Sequence, residues 1–269
     1  MVQAEWPAEK GSVVVTGASS GIGYELCKLF ARDGFPLLLT ARHGDRLRAV
    51  AAELTAAHGI AVATCPADLT DPEAPGEIFA AAQQLPKPVQ ILVNNAGFGS
   101  YGPFVETALE TTLQMLQVNI VALTHLTRLF LPDMVRRHAG GVLNLASTAG
   151  FAPGPLMAVY YASKAYVLHF SEALAEESRA TGVHVTALCP GPTATGFESR
   201  AGLSESKLFS GRKVMDARSV ALAGYRGFMR GQRLVVPGLW NKLLMQSIRF
   251  SPRRLVGKIV RRMQERRVQ

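Results

Sequence analysis

Two runs of uninterrupted apolar residues, Val13–Val15 and Leu37–Leu39, constrain the fold of this chain more than any other feature. A strand with one face in water alternates apolar and polar residues, whereas a strand buried on both faces of a parallel sheet is apolar throughout. Helical patterns separate these runs, and alternation of strand and helix builds right-handed βαβ units. We therefore expect an α/β fold with a single doubly wound parallel sheet and helices on both faces.

Short β-rich runs and longer helical patterns alternate along most of the chain. We expect strands at 13–16, 36–40, 61–64, 90–93, 141–146, 183–188 and 234–236, and helices near 21–33, 44–58, 72–84, 107–138, 158–181 and 216–231. This pattern predicts one domain over residues 11–238, followed by a basic amphipathic helical extension over residues 239–269. Residues 191–211 are a long irregular stretch, and a loop of that length in a compact domain is usually functional or mobile.

The first strand runs directly into a glycine-rich turn, Thr16-Gly17-Ala18-Ser19-Ser20-Gly21-Ile22-Gly23, which a helix follows. Glycines allow the backbone to turn tightly and to approach a pyrophosphate, and a helix N-terminus offers free N–H groups and a positive dipole end. The turn is therefore expected to bind a phosphate group. A turn that serves only the strand-to-helix connection is the alternative.

Further motifs follow in a fixed order. They are Asn94-Asn95-Ala96-Gly97 after the fourth strand, Asn119 within a helix, Ser147 after the fifth strand, Tyr160-x-x-x-Lys164, and Pro190-Gly191-x-x-x-Thr195 after the sixth strand. With the Gly-x-x-x-Gly-x-Gly spacing after Thr16, this order resembles the short-chain dehydrogenase/reductase family. Asn95-Ala96-Gly97-Phe98-Gly99 and the extended tail are similar to its branch of bacterial general oxidoreductases. The resemblance implies a Rossmann-type fold and hydride transfer with a nicotinamide cofactor.

The resemblance also implies a catalytic set of Asn119, Ser147, Tyr160 and Lys164. Tyr160 would be the general acid/base, Ser147 would orient the substrate oxygen, and Lys164 would also bind the nicotinamide ribose. Asn119 would fix a water that connects Lys164 to solvent. Taken singly, each of these residue types is more often structural than catalytic, whereas together, in this order and spacing, they indicate a catalytic set.

Two tyrosines compete for the catalytic role, because Tyr160 and Tyr161 both share a helix face with Lys164 at i, i+4 and i, i+3. Periodicity does not choose between them, but the family pattern selects Tyr160. The pKa of a free tyrosine is about 10, and a nearby ammonium is expected to lower that value.

The cofactor expected from the sequence is NADP(H). Where NAD-specific members of the family commonly place an acid for the ribose 2′-OH, this chain has Ala41, and Arg42 follows it. An arginine can bind a 2′-phosphate through charge-assisted hydrogen bonds, although Arg42 could also cap a strand end in solvent. Asp68 matches the family's adenine-contacting acid, or is a turn residue before the next helix.

The complete set of expected cofactor-binding residues comes from the glycine-rich turn, the ends of the strands and the catalytic helix. It comprises Gly17, Ser19, Ser20, Gly21, Ile22, Gly23, Arg42, Asp68, Asn94, Ala96, Gly97, Tyr160, Lys164, Pro190, Gly191, Thr193 and Thr195. No metal is expected to be required.

The segments that flank the catalytic residues are largely apolar and aromatic. They are residues 98–101, residues 151–157 and the loop that begins at Phe197. We expect a small hydrophobic ketone or aldehyde, or the matching secondary alcohol, as the substrate, although some of these side chains could pack under the loop. The alternative is a cofactor-binding, membrane-associated or regulatory protein with little turnover.

The net charge of +9 is concentrated at the C-terminus, because residues 241–269 contain nine basic residues and one acidic residue, Glu265. Apolar residues recur there at helical spacing on both sides of Ser251-Pro252, which predicts two amphipathic helices. Their apolar stripes could lie on an anionic membrane, or pack on the domain or on a partner subunit. The tail has few aromatic residues for base stacking, which makes nucleic acid unlikely as a partner.

The three cysteines are far apart and form no CxxC pair, which favours a reducing compartment. Residues 1–11 contain no long apolar segment of a secretory signal. We expect a cytoplasmic protein, with peripheral contact to the inner membrane face as an option that the tail adds. The family resemblance implies a homodimer or homotetramer, formed through the helices at 107–138 and 158–181.

Overall fold

Seven parallel strands form the central sheet of the protein. The computed structural model describes residues 6, 9–202 and 214–264, without the side chains of residues 199, 200, 249 and 253. The strands are β1 (Ser12–Thr16), β2 (Leu37–Ala41), β3 (Val62–Pro66), β4 (Val89–Asn94), β5 (Gly140–Leu145), β6 (Val183–Leu188) and β9 (Leu234–Val235). Their spatial order is β3-β2-β1-β4-β5-β6-β9. Two further short strands, β7 (Thr193–Ala194) and β8 (Met215–Asp216), pair with each other outside this sheet.

Helices cover both faces of the sheet, so the predicted doubly wound α/β fold is confirmed. They are α1 (Gly21–Arg32), α2 (Gly44–His58), α3 (Ala74–Ala82), α4 (Leu109–Leu116), α5 (Leu123–Arg136), α6 (Ala158–Glu177), α7 (Phe197–Arg200), α8 (Ala217–Met229), α9 (Leu239–Phe250) and α10 (Arg253–Gln264). The single helix expected over 107–138 is instead interrupted by a π-helical turn, Gln117–Ala122, between α4 and α5. Such turns are frequent at functional sites, and this one carries Asn119.

The uninterrupted apolar runs are explained by burial on both sheet faces. Val13 and Val15 point into a layer with Phe30 of α1, whereas Val14 points into the opposite layer with Ile78 of α3. Every residue of β1 is buried. Each residue of these apolar runs therefore packs against apolar side chains, whichever face of the sheet it occupies.

The order of the strands reverses beside β1. The chain leaves β1 towards β2 and β3, and then returns to place β4 on the other side of β1. The helices that follow β1 and β4 consequently diverge and leave a crevice outside the carboxyl ends of these strands. Ligands of open α/β sheets bind at such a switch point.

The C-terminal segment forms the two predicted helices, α9 and α10, with the break at Ser251-Pro252. The inner side of α9 packs on the domain through Met245 and Ile248, and that of α10 packs through Val256 and Val260. Part of each apolar stripe therefore packs on the domain, which was one of the alternatives that the sequence left open. The rest of the stripes, Leu239, Trp240, Leu243, Leu244, Leu255 and Ile259, is exposed. Within the described part of the chain, no helix is long and apolar enough to cross a bilayer.

Truncation of Phe228 tests the packing of α8 on the sheet. Its ring is fully buried and contacts the rings of Phe30 and Trp6, with centroid distances of 6.4 and 5.1 Å. Phe228→Ala is expected to lower the free energy of unfolding by roughly 3–5 kcal/mol in chemical denaturation, because it removes buried area and leaves a cavity. Val105→Ala, at a residue that is 90% exposed, is the control and should change stability by less than about 0.5 kcal/mol. Equal effects of the two substitutions would contradict this packing.

Candidate active site

An open cleft of about 440 Å³ lies at the carboxyl ends of β1 to β6, where the strand order reverses. Most of the residues predicted to form the site line this cleft. They are Gly17, Ser19, Ser20, Gly21, Ile22, Arg42, Asp68, Ala96, Gly97, Ser147, Tyr160, Lys164, Pro190, Gly191, Thr193 and Thr195. Residues that are far apart in the sequence thus meet at one edge of the sheet.

The glycine-rich turn forms the middle part of the cleft, at the end of β1. Gly17 and Gly21 have φ angles of +65° and +58°, a region that residues with a Cβ rarely adopt. The cap residue of α1, Ser20, makes no side-chain capping bond to this helix, so the first N–H groups of α1 face the cleft without that partner. This arrangement suits an anionic group such as a phosphate.

Thr16 joins the glycine-rich turn to the segment after β4. Its hydroxyl oxygen accepts hydrogen bonds from the backbone N–H groups of Asn95 and Ala96, both at 2.9 Å. In return, the Asn95 amide donates to the Thr16 carbonyl at 2.8 Å and to the Gly17 carbonyl at 3.2 Å. Asn95 was absent from the predicted site residues, although its place in the Asn94-Asn95-Ala96-Gly97 motif was the available signal.

Three predicted site residues do not line the cleft: Gly23, Asn94 and Asn119. A Cβ on Gly23 would lie 2.4 Å from both the Asn95 amide nitrogen and the Gly17 carbonyl oxygen, so this glycine lets α1 pack on the turn. Asn94 is buried, and its amide donates to Thr127 at 3.1 Å and to the Asn144 side chain at 2.9 Å. Both residues support the site from behind, because tertiary packing turns them away from the cleft.

Asn119 also acts through its neighbours. Its amide donates to the Phe98 carbonyl and to the Ser163 hydroxyl, both at 3.0 Å, and its side-chain oxygen accepts from the Phe98 N–H at 3.1 Å. A Cβ added to Gly97 would lie 3.0 Å from the Asn119 oxygen and 3.4 Å from Lys164 Nζ. Asn119 and Lys164 therefore flank the same glycine.

The end of the cleft near the ends of β2 and β3 is cationic. Arg42 is exposed and follows β2 directly, and Arg46 in the first turn of α2 lines the cleft as well. Arg46 was missed in the sequence, although its position shortly after Arg42 was the available signal. Asp68 lines the cleft, and its carboxylate also accepts the Thr70 N–H at 3.0 Å, so it is a turn residue too.

Tyr160, Ser147 and Lys164 meet in the part of the cleft beyond the end of β5. The Tyr160 hydroxyl faces the Ser147 side chain, whose interaction with it opposes a rise of the tyrosine pKa. The Lys164 ammonium donates to the Leu145 carbonyl at 2.7 Å and lies 5.9 Å from the centre of the Tyr160 ring. The Tyr161 side chain instead lies beside Gln264 of α10, which opposes the rise that burial causes in the Tyr161 pKa. The geometry therefore distinguishes the two tyrosines that periodicity left equivalent.

Burial dominates the protonation of this group. It raises the pKa of Tyr160, and the interaction with Ser147 only partly opposes that shift. Burial also lowers the pKa of Lys164 to about 8. The expectation that the lysine lowers the tyrosine pKa is therefore wrong for the protein by itself, because the loss of water around the phenol outweighs an ammonium several ångströms away. At neutral pH, Tyr160 is a protonated phenol.

The hydroxyl groups after β6 serve the loop as well as the cleft. Thr193 donates to the Gly191 carbonyl at 2.8 Å, and Thr195 donates to the Thr193 carbonyl at 3.4 Å and accepts the Phe197 N–H at 3.3 Å. These bonds shape the first part of the predicted 191–211 loop. The rest of that loop, from residue 203 onward, lies outside the described residues, which resume at residue 214.

The substrate side is apolar, as the flanking segments predicted, but not every expected residue takes part. Phe98, Met157 and Phe197 line the cleft, and the Phe197 ring lies 5.3 Å from that of Tyr160. Phe151, by contrast, packs in an interior cluster with Leu123 and others. The C-terminal helix α10 closes this side, because Val260 packs on a cluster that contains Met157, Tyr161 and Ala201.

Comparison with known proteins places this geometry in context. The sequence profile described as short chain dehydrogenase matches residues 11–205. A short chain dehydrogenase of Pseudocercospora fijiensis is 37% identical over 182 residues, which are 67% of this chain and 59% of that protein. The chain thus covers less than two thirds of that relative's length.

Two solved structures align with nearly the whole chain. A short-chain dehydrogenase from Sphingobium yanoikuyae in complex with NADPH is 34% identical, with a TM-score of 0.80 over 90% of this chain and 96% of the other. A bulky-bulky ketone specific alcohol dehydrogenase from Comamonas testosteroni is 29% identical, with a TM-score of 0.76 over 90% and 95% of the two chains.

The pH dependence of stability tests the burial of Lys164. With a folded pKa of about 8 against an ordinary value of 10.5, the unfolded chain binds more protons between these values. The contribution of Lys164 to the free energy of unfolding therefore rises as the pH increases from about 8 to 10.5, and it is constant below about 8. Relative to Lys164→Met, the unfolding free energy of the native chain should rise by about 2 kcal/mol between pH 7 and about 9.5.

The comparison with Lys164→Met also supplies its own control. Other buried groups that do not interact with Lys164, such as the thiol of Cys27, titrate in both proteins and cancel in the difference. The measurement is urea denaturation at a series of pH values. A difference that does not change with pH would show that Lys164 is solvated.

Proposed function

Because the chain belongs to the short-chain dehydrogenase family, we propose that it is an NADP-dependent oxidoreductase of the CH–OH class. In this proposal it transfers a hydride between NADP(H) and a hydrophobic ketone or aldehyde, or the matching secondary alcohol. One observation carries the proposal: Tyr160 lies beside Ser147 and next to buried Lys164, in a cleft that continues from an anion-binding turn.

The cofactor would lie along the cleft, and the residues present fit its parts. The glycine-rich turn and the N-terminus of α1 suit its pyrophosphate. Gly191 and Thr193 lie beside the catalytic group, where the nicotinamide would be placed, and Lys164 would bind its ribose. The bound cofactor supplies the hydride for reduction, or accepts it in the reverse direction.

The chain's own residues provide the proton. Tyr160 keeps its proton at neutral pH because burial raises its pKa, which suits a donor to a carbonyl oxygen. The Ser147 hydroxyl, which lies beside Tyr160, would hold and orient that oxygen. When the proton leaves, the Lys164 ammonium favours the resulting phenolate through its charge. Asn119 would position these groups, since it fixes the backbone of Phe98 and contacts Ser163 of the catalytic helix.

Arg42 and Arg46 support a preference for NADP(H). Both are exposed at the end of the cleft beside β2, and neither Thr40 nor Ala41 of this strand end carries a negative charge. Two guanidinium groups can bind a 2′-phosphate through charge-assisted hydrogen bonds. The NADPH bound to the Sphingobium yanoikuyae protein agrees with this preference.

The substrate class follows from the apolar wall beside Tyr160. Phe98, Met157 and Phe197 would contact the carbon skeleton of the substrate. A Cβ on Gly99 would lie 2.9 Å from Phe197 and 3.1 Å from Tyr160, so this glycine keeps the wall close to the reacting centre. The ketone named for the Comamonas testosteroni protein is of the bulky class that such a wall could accept.

The protein is further proposed to be a cytoplasmic homodimer or homotetramer. Exposed apolar side chains on the long helices, Leu113, Val121 and Tyr166, would be covered in such an assembly. The alternative of a regulatory protein with little turnover is disfavoured, because Asn119, Ser147, Tyr160 and Lys164 are all present in mutual proximity.

The cofactor preference can be measured by calorimetric titration. NADPH is expected to bind at least about tenfold more tightly than NADH, and Arg42→Ala should remove most of that difference, since one charge-assisted bond contributes about 1.5–3 kcal/mol. Arg48→Ala is the matched control. Arg48 is an exposed arginine of the neighbouring helix α2 that pairs with Asp45 and does not line the cleft. Tighter binding of NADH by the native chain would overturn the NADP(H) proposal.

The catalytic role of Tyr160 can be tested after a panel of carbonyl compounds has identified a substrate through NADPH oxidation. Tyr160→Phe should lower kcat/KM by at least about 100-fold, the usual contribution of a positioned general acid. Tyr161→Phe is the matched control and should have a much smaller effect, since its hydroxyl lies beside Gln264 of α10 rather than beside Ser147. Near-full turnover by Tyr160→Phe would refute the assigned role, and exclusive reaction with small polyols would refute the hydrophobic substrate.

A further inference from the structure

Each of the two C-terminal helices presents an apolar and cationic face to solvent, and we call the two faces together the C-terminal surface. Its apolar members are Leu239, Trp240, Leu243, Leu244 and Phe250 of α9 and Leu255 and Ile259 of α10. Its cationic members are Lys242, Arg254, Lys258, Arg261 and Arg262. We propose that the C-terminal surface is a docking site for an anionic lipid bilayer.

Packing fixes which side of α9 faces outward. Met245 is 6% exposed and Ile248 packs in the same cluster, so the inner side of the helix is anchored on the domain. Trp240 and Phe250, on the other side, are 84% and 87% exposed. An α-helix turns about 100° per residue, which puts all five exposed apolar side chains within one arc of roughly 140°.

Helix α10 adds the charge. Val256 and Val260 face the domain, whereas the exposed cations Arg254, Lys258 and Arg262 recur at i, i+4 along one outer line. Leu255 and Ile259 are exposed between this line and the buried side. Residues 239–264 contain no acidic residue, so no carboxylate within these helices offsets the cations.

Charge complementarity selects a bilayer as the occupant. In a closed two-fold interface the same surface meets itself, which would bring the cations of the two copies towards each other. An anionic bilayer offers the opposite charge at its headgroups and an apolar layer just beneath, where leucine, tryptophan and phenylalanine side chains of an interfacial helix lie. A nucleic acid would match the charge but would leave the apolar side chains in water.

Helix α10 lies between the C-terminal surface and the cleft. On its inner side α10 contacts the wall of the cleft, since Val260 packs near Met157 and Tyr161, and Tyr101 donates to the Gln264 carbonyl at 2.7 Å. Docking would therefore bring the substrate side of the cleft within about one helix diameter, roughly 10 Å, of the lipid. Only this consequence depends on the proposed reaction; docking itself does not.

Vesicle co-sedimentation of the full chain tests the proposal. The protein should sediment with vesicles that contain phosphatidylglycerol much more than with pure phosphatidylcholine, and added salt should weaken the binding. Each cation at such a surface contributes roughly fivefold, so Lys258→Glu with Arg262→Glu should weaken binding by at least about 20-fold. Trp240→Ser with Leu243→Ser should weaken it by at least about tenfold, through lost apolar burial. The matched control is Arg226→Glu with Arg230→Glu, two exposed cations of α8, which should bind like the native chain.

Tryptophan fluorescence reports the depth of contact. The chain has two tryptophans, and Trp6 donates to the Met229 carbonyl in the interior, so Trp6→Phe leaves Trp240 as the only emitter. Its emission should shift to shorter wavelength with anionic vesicles and be quenched by brominated lipids, whereas Trp240→Phe should show neither effect.

Several results would overturn the proposal. One is equal vesicle binding by all variants, and another is a Trp240 emission that does not change with anionic vesicles. A third is a lower oligomeric mass of the surface variants in sedimentation velocity without lipid, because that result would identify the surface as a protein interface. Binding of short duplex DNA that depends on the cations but not on Trp240 and Leu243, with no vesicle binding, would also overturn it. Unchanged unfolding midpoints and NADPH affinity would show that the variants are folded, so a loss of vesicle binding is attributable to the surface.

Discussion

The hydrogen bonds of Thr16 hold together the part of the molecule on which the site depends. At the switch point the chain leaves β1 on one side and returns as β4 on the other, so nothing in the sheet ladder fixes the segments beyond the strand ends. Thr16 and Asn95 supply that connection through a reciprocal set of bonds. The shape of the anion-binding turn is therefore set by a contact between residues almost 80 positions apart.

Burial and hydrogen bonding have separate effects on the pKa values of Tyr160 and Lys164. Lys164 is almost fully buried, and only one carbonyl, that of Leu145, is a described acceptor within bonding distance of its ammonium. A buried charge with few partners gives up protons readily, which explains its lowered pKa. Burial moves the pKa of Tyr160 beside it in the opposite direction, so the phenol keeps its proton at neutral pH.

The fold was predictable because its signals are local and repeated. Fully apolar strands such as Val13–Val15 require a sheet covered on both faces, and the alternation with helices leaves few topologies. Motif order then located the cleft and most of its lining. The local position of a residue at the site was not predictable: the Asn94 side chain and the Gly23 backbone were expected in the cleft and support it from behind. Arg46 was missed because its role depends on where α2 begins relative to β2.

The sequence by itself determined the class of fold through its periodicity, and the family and the expected roles of Ser147, Tyr160 and Lys164 through the order of its motifs and their resemblance to the family pattern. Tertiary structure alone decided which of the two tyrosines meets Ser147 and in which direction its pKa moves. It also decided which half of each C-terminal apolar stripe is covered. These outcomes depend on burial and on contacts between distant segments, and periodicity along one helix contains no information about what packs against its faces.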